Sequence, residues 1–563
     1  MMRKFLLMML ASLFLAACGR DSDDDVPTIF EDDDDVDIQV AAVSLFDRID
    51  AETMMVMANL EPMPDSLADT LYRPLSAAAE MNRVTAEQLG EEIDDPLARA
   101  LLNELAAIDS REAVEARGLH SNGLYALHTV SVYPFMHWQL IDREALEATL
   151  DRLAGEAGIE LPRRDVDGEQ IIWAPLAGMG LAIHMDEDFV TAALVPDSPA
   201  LLRRVVNLDQ PAQAMSRRGL ARFNRERGFT AYGSGYIDFT RLLSLVFNGD
   251  ERIELGARRD ERLQALSEDA ACRSEIEALV NTFPRLSTGS TRVDERRITA
   301  LMRIETAGDM GQRLATIADT SIGVGARQAE LFDAGVAINL VAARDFAREL
   351  VGGWVDNPPQ CELFAEIGEQ AGEWQLALNR PIPPVVTNIQ GFRLNVDRVV
   401  MGGPAGVVDG AGTLALFMHN PQMLIGMAQM FSPELAALDL RPGGEPQPIP
   451  PGMIPDMPEL SAWVALGEEG LGIAIGEGHK DELGQALSPG ETGSAILAYG
   501  INMQRYAEML SAVMEEALAE EGMEELDPTA MLRMLGEVYE YYHTSLHLRP
   551  EGIDVVADIT LAR

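Results

Sequence analysis

Four groups of residues have the types and spacing to do chemistry. His543 and His547 stand four apart in Tyr541-Tyr542-His543-Thr544-Ser545-Leu546-His547, and on a helix that spacing lets two imidazoles share a metal ion. The segment reads instead as a terminal strand, where residues four apart are about 13 Å from one another. Met423, Met427 and Met430 fall on one helical face, and thioethers are soft ligands for Cu(I). A core-facing helix needs the same spacing, and the chain uses 28 methionines, so these three are assigned to the core. Tyr232-Gly233-Ser234-Gly235-Tyr236 has the outline of a nucleophile loop, but it opens a strand-to-helix unit in which glycines let strands pack closely. Cys361 follows Asn357-Pro358-Pro359-Gln360 at a helix start, a setting that lowers a thiol pKa, yet no histidine lies near it in sequence. The phosphate-loop, dinucleotide, nucleophile-elbow, zinc-protease and C-x-x-C motifs are all missing. No catalytic residue, no metal ligand and no cofactor is assigned.

The elements that would position such residues follow one local pattern. A short apolar strand ends at Asp or Asn, and an amphipathic helix begins. Tyr133 to Leu140 leads to Asp142, then Leu146, Leu150 and Leu153; Tyr236-Ile237 leads to Asp238, then Leu242, Leu243 and Val246. Leu414 to Met418 leads to Asn420-Pro421, then Met423, Leu424, Met427 and Met430; Ile496 to Tyr499 leads to Asn502, then Tyr506, Met509, Leu510, Val513 and Met514. Weaker copies begin near Asp309 and Asp345. In each, the Asx side chain accepts the free N–H groups of the first turn, and the spacing of three and four makes one apolar face.

Hairpins separate these units. Asp165-Val166-Asp167-Gly168 turns one strand into the next, and Asp186-Glu187-Asp188 joins the apolar runs Gly180 to Met185 and Phe189 to Val195. Closing hairpins appear at Ser290 to Glu305 and Ser545 to Leu561. The expected fold is α+β: antiparallel sheets with packed amphipathic helices, in two related lobes, 43–306 and 307–563. Residues 441–458 hold seven prolines and read as a long surface loop, and Glu515 to Glu525 as a solvated acidic helix face.

The net charge is −47, and only Lys4 and Lys480 are lysines. Nucleic acid and anionic membrane surfaces are therefore poor partners. An acidic, lysine-poor surface suits salty media, where screening removes self-repulsion, so the charge reads as habitat adaptation and not as a function.

Cys18 sets the address. Arg3 and Lys4 precede an apolar run from Phe5 to Leu15, and Leu15-Ala16-Ala17-Cys18 closes it, the order of a secretory signal peptide too short to span a bilayer. Leu15-Ala16-Ala17-Cys18 resembles the lipobox of bacterial lipoproteins. The resemblance implies cleavage after residue 17, acyl chains on Cys18 and, with Gly19 next, the periplasmic side of the outer membrane. Residues 18–42 are then an acidic tether, since the runs Asp21 to Asp25 and Glu31 to Asp37 have little to bury. Export leaves Cys272 and Cys361 as an even pair in an oxidising compartment, which favours a disulfide over two separate buried thiols. The strand–Asx–helix body is similar to large bacterial exported and lipoprotein families of uncharacterised function, a likeness that implies no activity. The expectation is a lipid-anchored envelope protein with a non-enzymatic binding or scaffolding role toward an envelope protein or lipid. The alternatives are a carrier or chaperone with an apolar groove, and a hydrolase.

Overall fold

The computed structural model describes residues 44–562 except 78, 92, 177–178, 249–264, 267, 321, 325–328, 402–406, 432–435, 451–460, 491–492 and 512–535. Cys18, the tether and the acidic run Glu515 to Glu525 lie outside the described residues. The chain is α+β and divides into two units after Ile304.

Lobe 1 contains β1 (Met55–Ala58), β2 (Tyr125–Val130), β3 (Tyr133–Gln139), β4 (Arg163–Val166), β5 (Glu169–Leu176), β6 (Met179–Met185), β7 (Phe189–Val195), β8 (Ser234–Asp238), β9 (Arg285–Val293) and β10 (Arg297–Glu305). Pairing gives the order β10-β9-β8-β1-β2-β3-β7-β6-β5-β4. Its pleat sorts side chains onto two faces. One face carries Phe135, Ala182, Ala193 and Val195, covered by Leu201, Leu202 and Val205 of the helix Pro199–Val205. The other carries Ile172, Ile183, Met185 and Val190, covered by Leu146 of the helix Arg143–Ala157. Both faces are therefore dry over β3, β5, β6 and β7.

Lobe 2 contains β11 (Phe332–Ala337), β12 (Ile389–Met401), β13 (Val407–Met418), β14 (Gln447–Pro448), β15 (Ala462–Leu466), β16 (Gly470–Ile475), β17 (Ala495–Asn502), β18 (Tyr539–Arg549) and β19 (Gly552–Leu561). The order is β19-β18-β17-β11-β12-β13-β16-β15-β14, and each of these pairs is antiparallel.

The Asx caps form as their chemistry requires. Asp142 accepts from the Ala145 N–H, Asp238 from Arg241, Asn420 from Met423 and Asn502 from Arg505. The two weaker copies fare differently. Asp309 precedes the helix Met310–Ala315 without a side-chain cap bond, and Asp345 lies inside the helix Leu340–Asp356, whose cap is Asn339. The cap stands six residues before Asp345, with one residue between it and the end of β11. The Asp167-Gly168 turn holds both residues at positive φ, 53° and 99°, as a two-residue hairpin loop demands.

Residues 441–458 are not a free loop over their described part. Gln447 pairs with Val464 and Pro448 with Trp463, Ile449 donates to the Ala462 carbonyl, and Gly443 donates to that of Leu466. The segment zips onto β15 as an edge strand, where a proline that lacks an N–H does no harm.

Candidate functional site

The buried face of the lobe 2 sheet carries a polar row beside the apolar core residues Ala337, Ala415 and Phe417. One cross-strand row runs Thr413, Asn395, Asp333, Gly500, His543, Asp558 across β13, β12, β11, β17, β18 and β19. Thr413, Asp333, His543 and Asp558 in that row are buried. Polar groups survive burial when they are bonded: the Tyr541 hydroxyl donates to the Asp333 carboxylate, beside Gly500, where an added Cβ would meet the Tyr541 oxygen at 2.4 Å. Arg393, also on this face, lies 4.6 Å over the Phe417 ring and donates to the Ser488 carbonyl, and burial lowers its pKa.

The opposite face is apolar and open. Its first row runs Leu471, Leu416, Phe392, Val336, Leu497, Leu546, Val555; the next runs Ile473, Leu414, Leu394, Ala334, Tyr499, Thr544, Ala557. Neither row contains a charged residue. Phe392, Leu414, Tyr499 and Leu497 stand 36–42% exposed. Seven strands about 4.8 Å apart make the two rows roughly 30 Å wide, on the order of 400 Å² of apolar surface.

The helix Pro421–Phe431 follows β13 through the Asn420 cap. It buries Ile425 and turns Met423, Met427 and Met430 outward, at 38%, 43% and 81% exposure. This overturns their assignment to the core. Spacing identifies a face but not the side on which it lies, and this helix presents its methionines to solvent. Of the 18 large hydrophobic residues more than about a third exposed among the described residues, 13 belong to lobe 2.

The other sequence candidates resolve as follows. His543 and His547 both lie in β18, so the helical spacing for a shared ion does not arise. His547 Nε2 faces the Ser545 hydroxyl at 2.8 Å and its Nδ1 faces that of Ser494 at 3.1 Å. Burial, with the charge of Arg549, pushes this imidazole down to about 4. Neither the cavity of about 500 Å³ beside Arg204 and Arg241 nor that of about 740 Å³ beside Lys480 is lined by it. Ser234 is fully buried and donates to the Asn224 side chain at 2.7 Å, and a Cβ at Gly235 would lie 1.9 Å from the Val56 carbonyl. That loop serves close strand packing. Cys272 and Cys361 are 2% and 0% exposed.

Two titratable groups escaped sequence reasoning. In lobe 1, His128 Nε2 lies 3.0 Å from His137 Nε2, and His137 Nδ1 lies 2.9 Å from the Thr191 hydroxyl. Burial holds His128 down to about 3 and His137 well below its usual value, so the pair shares one proton as donor and acceptor. In lobe 2, Asp397, His479 and Glu482 bring three ligand-type atoms within 4.8 Å of one another. Asp397 and His479 are 82 positions apart, and no local pattern links them.

No protein-family model matches the chain, and neither the curated proteins nor the solved structures contain a significant match. Among the described residues no helix is long and apolar enough to cross a membrane.

Proposed function

We propose that this protein is an envelope lipoprotein, anchored by lipid on Cys18 at the periplasmic side of the outer membrane, whose second lobe binds the acyl chains of a lipid client. The observation that carries the reading is the charge-free sheet face of Leu414, Phe392, Leu497 and Tyr499. A face of this size matches the largest apolar patch of a typical monomer, and such patches are often functional. The exposed methionines add adaptable, polarisable contacts of the kind used at promiscuous apolar sites. Acyl chains fit better than unfolded protein, because the strands bearing the face are paired on both sides and leave no backbone donors for an added strand.

Two further proposals complete the reading. The lobes are copies of one design, which the strand orders support: β10-β9-β8-β1-β2-β3-β7-β6-β5 corresponds, strand for strand, to β19-β18-β17-β11-β12-β13-β16-β15-β14. Cys272 and Cys361 form a cystine, supported by their deep burial; maleimide labelling of both in unfolded, unreduced protein would refute it.

The test is crosslinking in intact cells with a photoactivatable fatty acid, followed by mapping of the adducts. Adducts should fall on β12, β13 and β17 and vanish in the triple variant Leu414→Gln, Leu497→Gln, Tyr499→Gln. Adducts elsewhere would sink the lipid reading, and capture of unfolded outer-membrane proteins would replace it with a chaperone. Cys18→Ser should move the protein to the soluble fraction; retention on membranes would end the anchoring proposal.

A further inference from the structure

We infer that Asp397, His479 and Glu482 form a binding site for a divalent transition-metal ion of the Zn²⁺ type. Asp397 is the extra residue at a bulge of β12, between Val396 and Arg398, and a bulge re-aims a side chain that the pleat would otherwise direct. One Asp397 oxygen accepts the Glu330 N–H at 2.7 Å, which fixes the carboxylate; the other faces His479 Nε2 at 2.9 Å. Second contacts of this kind orient metal-binding carboxylates. His479 sits on a short turn after Gly476, whose φ of 92° swings the chain out of β16. Glu482, three residues on, brings a carboxylate oxygen to 3.8 Å from the same imidazole nitrogen.

The pairing pattern sets these carboxylates apart. The other close ion pairs in the described residues use arginine, and Glu330 itself is paired with Arg505. Asp397 and Glu482 converge instead on one imidazole. Two carboxylates brought toward one point repel one another, and a divalent ion held between them removes that repulsion.

The donor set selects the ion. One imidazole nitrogen and two carboxylate oxygens suit Zn²⁺ or a neighbouring first-row ion; calcium prefers six or more oxygens, and Cu(I) prefers sulfur. A tetrahedral Zn²⁺ with bonds of about 2.0–2.1 Å needs donors about 3.3 Å apart. The observed 2.9 and 3.8 Å bracket that value, and all three donor atoms lie within 4.8 Å of one another, so closing the set on an ion takes movements of at most about 1.5 Å. Glu482 is 54% exposed and free to make them. Three protein donors leave the fourth position to water.

The full chain, stripped with EDTA and dialysed, would be titrated with ZnCl₂ by calorimetry, with CaCl₂ as competitor. One saturable site that excess calcium does not displace is expected. Glu482→Gln, on an exposed side chain, should weaken it at least about tenfold without altering the circular dichroism, and His479→Gln should abolish it. X-ray absorption should show nitrogen and oxygen ligands without sulfur. Absence of a saturable site would overturn the assignment, as would zinc binding that Glu482→Gln leaves unchanged, since the ion would then sit on other surface carboxylates.

Discussion

The two lobes handle the second face of their sheets in opposite ways. In lobe 1 the helix after β3 buries Leu146 and Leu153 and closes the face formed by Ile172, Ile183 and Val190. In lobe 2 the helix after β13 turns Met423, Met427 and Met430 to solvent, while Leu414 and Phe392 stay open. The difference teaches that an antiparallel sheet can be closed by helices on both faces or keep one apolar face open. One lobe is built as a closed core, and the other keeps apolar surface in reserve.

Three measurements would break or sharpen that contrast. The largest effect belongs to Leu146→Ala, which removes a buried knob from lobe 1 and should cost about 2–4 kcal/mol in denaturant unfolding. A loss under about 1 kcal/mol would mean that this face is not closed.

Acid comes next. His128 and His137 are neutral in the folded state, and their pKa values lie below the unfolded value of about 6.5. Below that pH the unfolded chain binds more protons than the folded one. The stability contribution is therefore complete above about pH 6.5 and drains away as pH falls toward the folded values. For His128 alone, pH 5 should cost on the order of 2 kcal/mol relative to pH 7. Hydrogen exchange at the two pH values should show β2 and β3 opening more readily in acid, and His128→Gln should flatten that response. An unchanged profile would remove the pair from the account.

The smallest effect is expected at the methionines. Met427→Ala should change stability by less than about 0.5 kcal/mol, as at other exposed positions, while weakening fatty-acid capture. A large loss of stability would show that the helix is core after all and return the two lobes to the same plan.

Much of the fold was legible because its signals are local. Asp142, Asp238, Asn420 and Asn502 each cap the helix that follows within three residues, and Asp167-Gly168 makes its hairpin from two backbone angles. What was not legible depends on where distant elements come to rest. Alternating apolar residues in β11, β12, β13 and β17 announce a strand with an apolar face, but the usual inference that this face is the buried one fails here. Asp333, His543 and Asp558 share the interior with Ala337, Ala415 and Phe417. The methionine stripe was misplaced for the same reason. The Asp397–His479 contact joins a bulge in β12 to a turn beyond β16, a meeting set by register and bulge position.

The placement of β1 has a consequence for how the chain reaches this structure. Met55 pairs with Ile237, and Val56 pairs with both His128 and Tyr236. The first strand among the described residues is thus a central one, and it waits for a neighbour supplied about 180 residues later. Contacts so distant in sequence slow folding, because loop closure precedes any gain from pairing. Until β8 arrives, β1 offers an unpaired edge to any other strand. A polypeptide stopped before residue 234 should therefore aggregate, and a chaperone that shields that edge would matter most during synthesis of the first lobe.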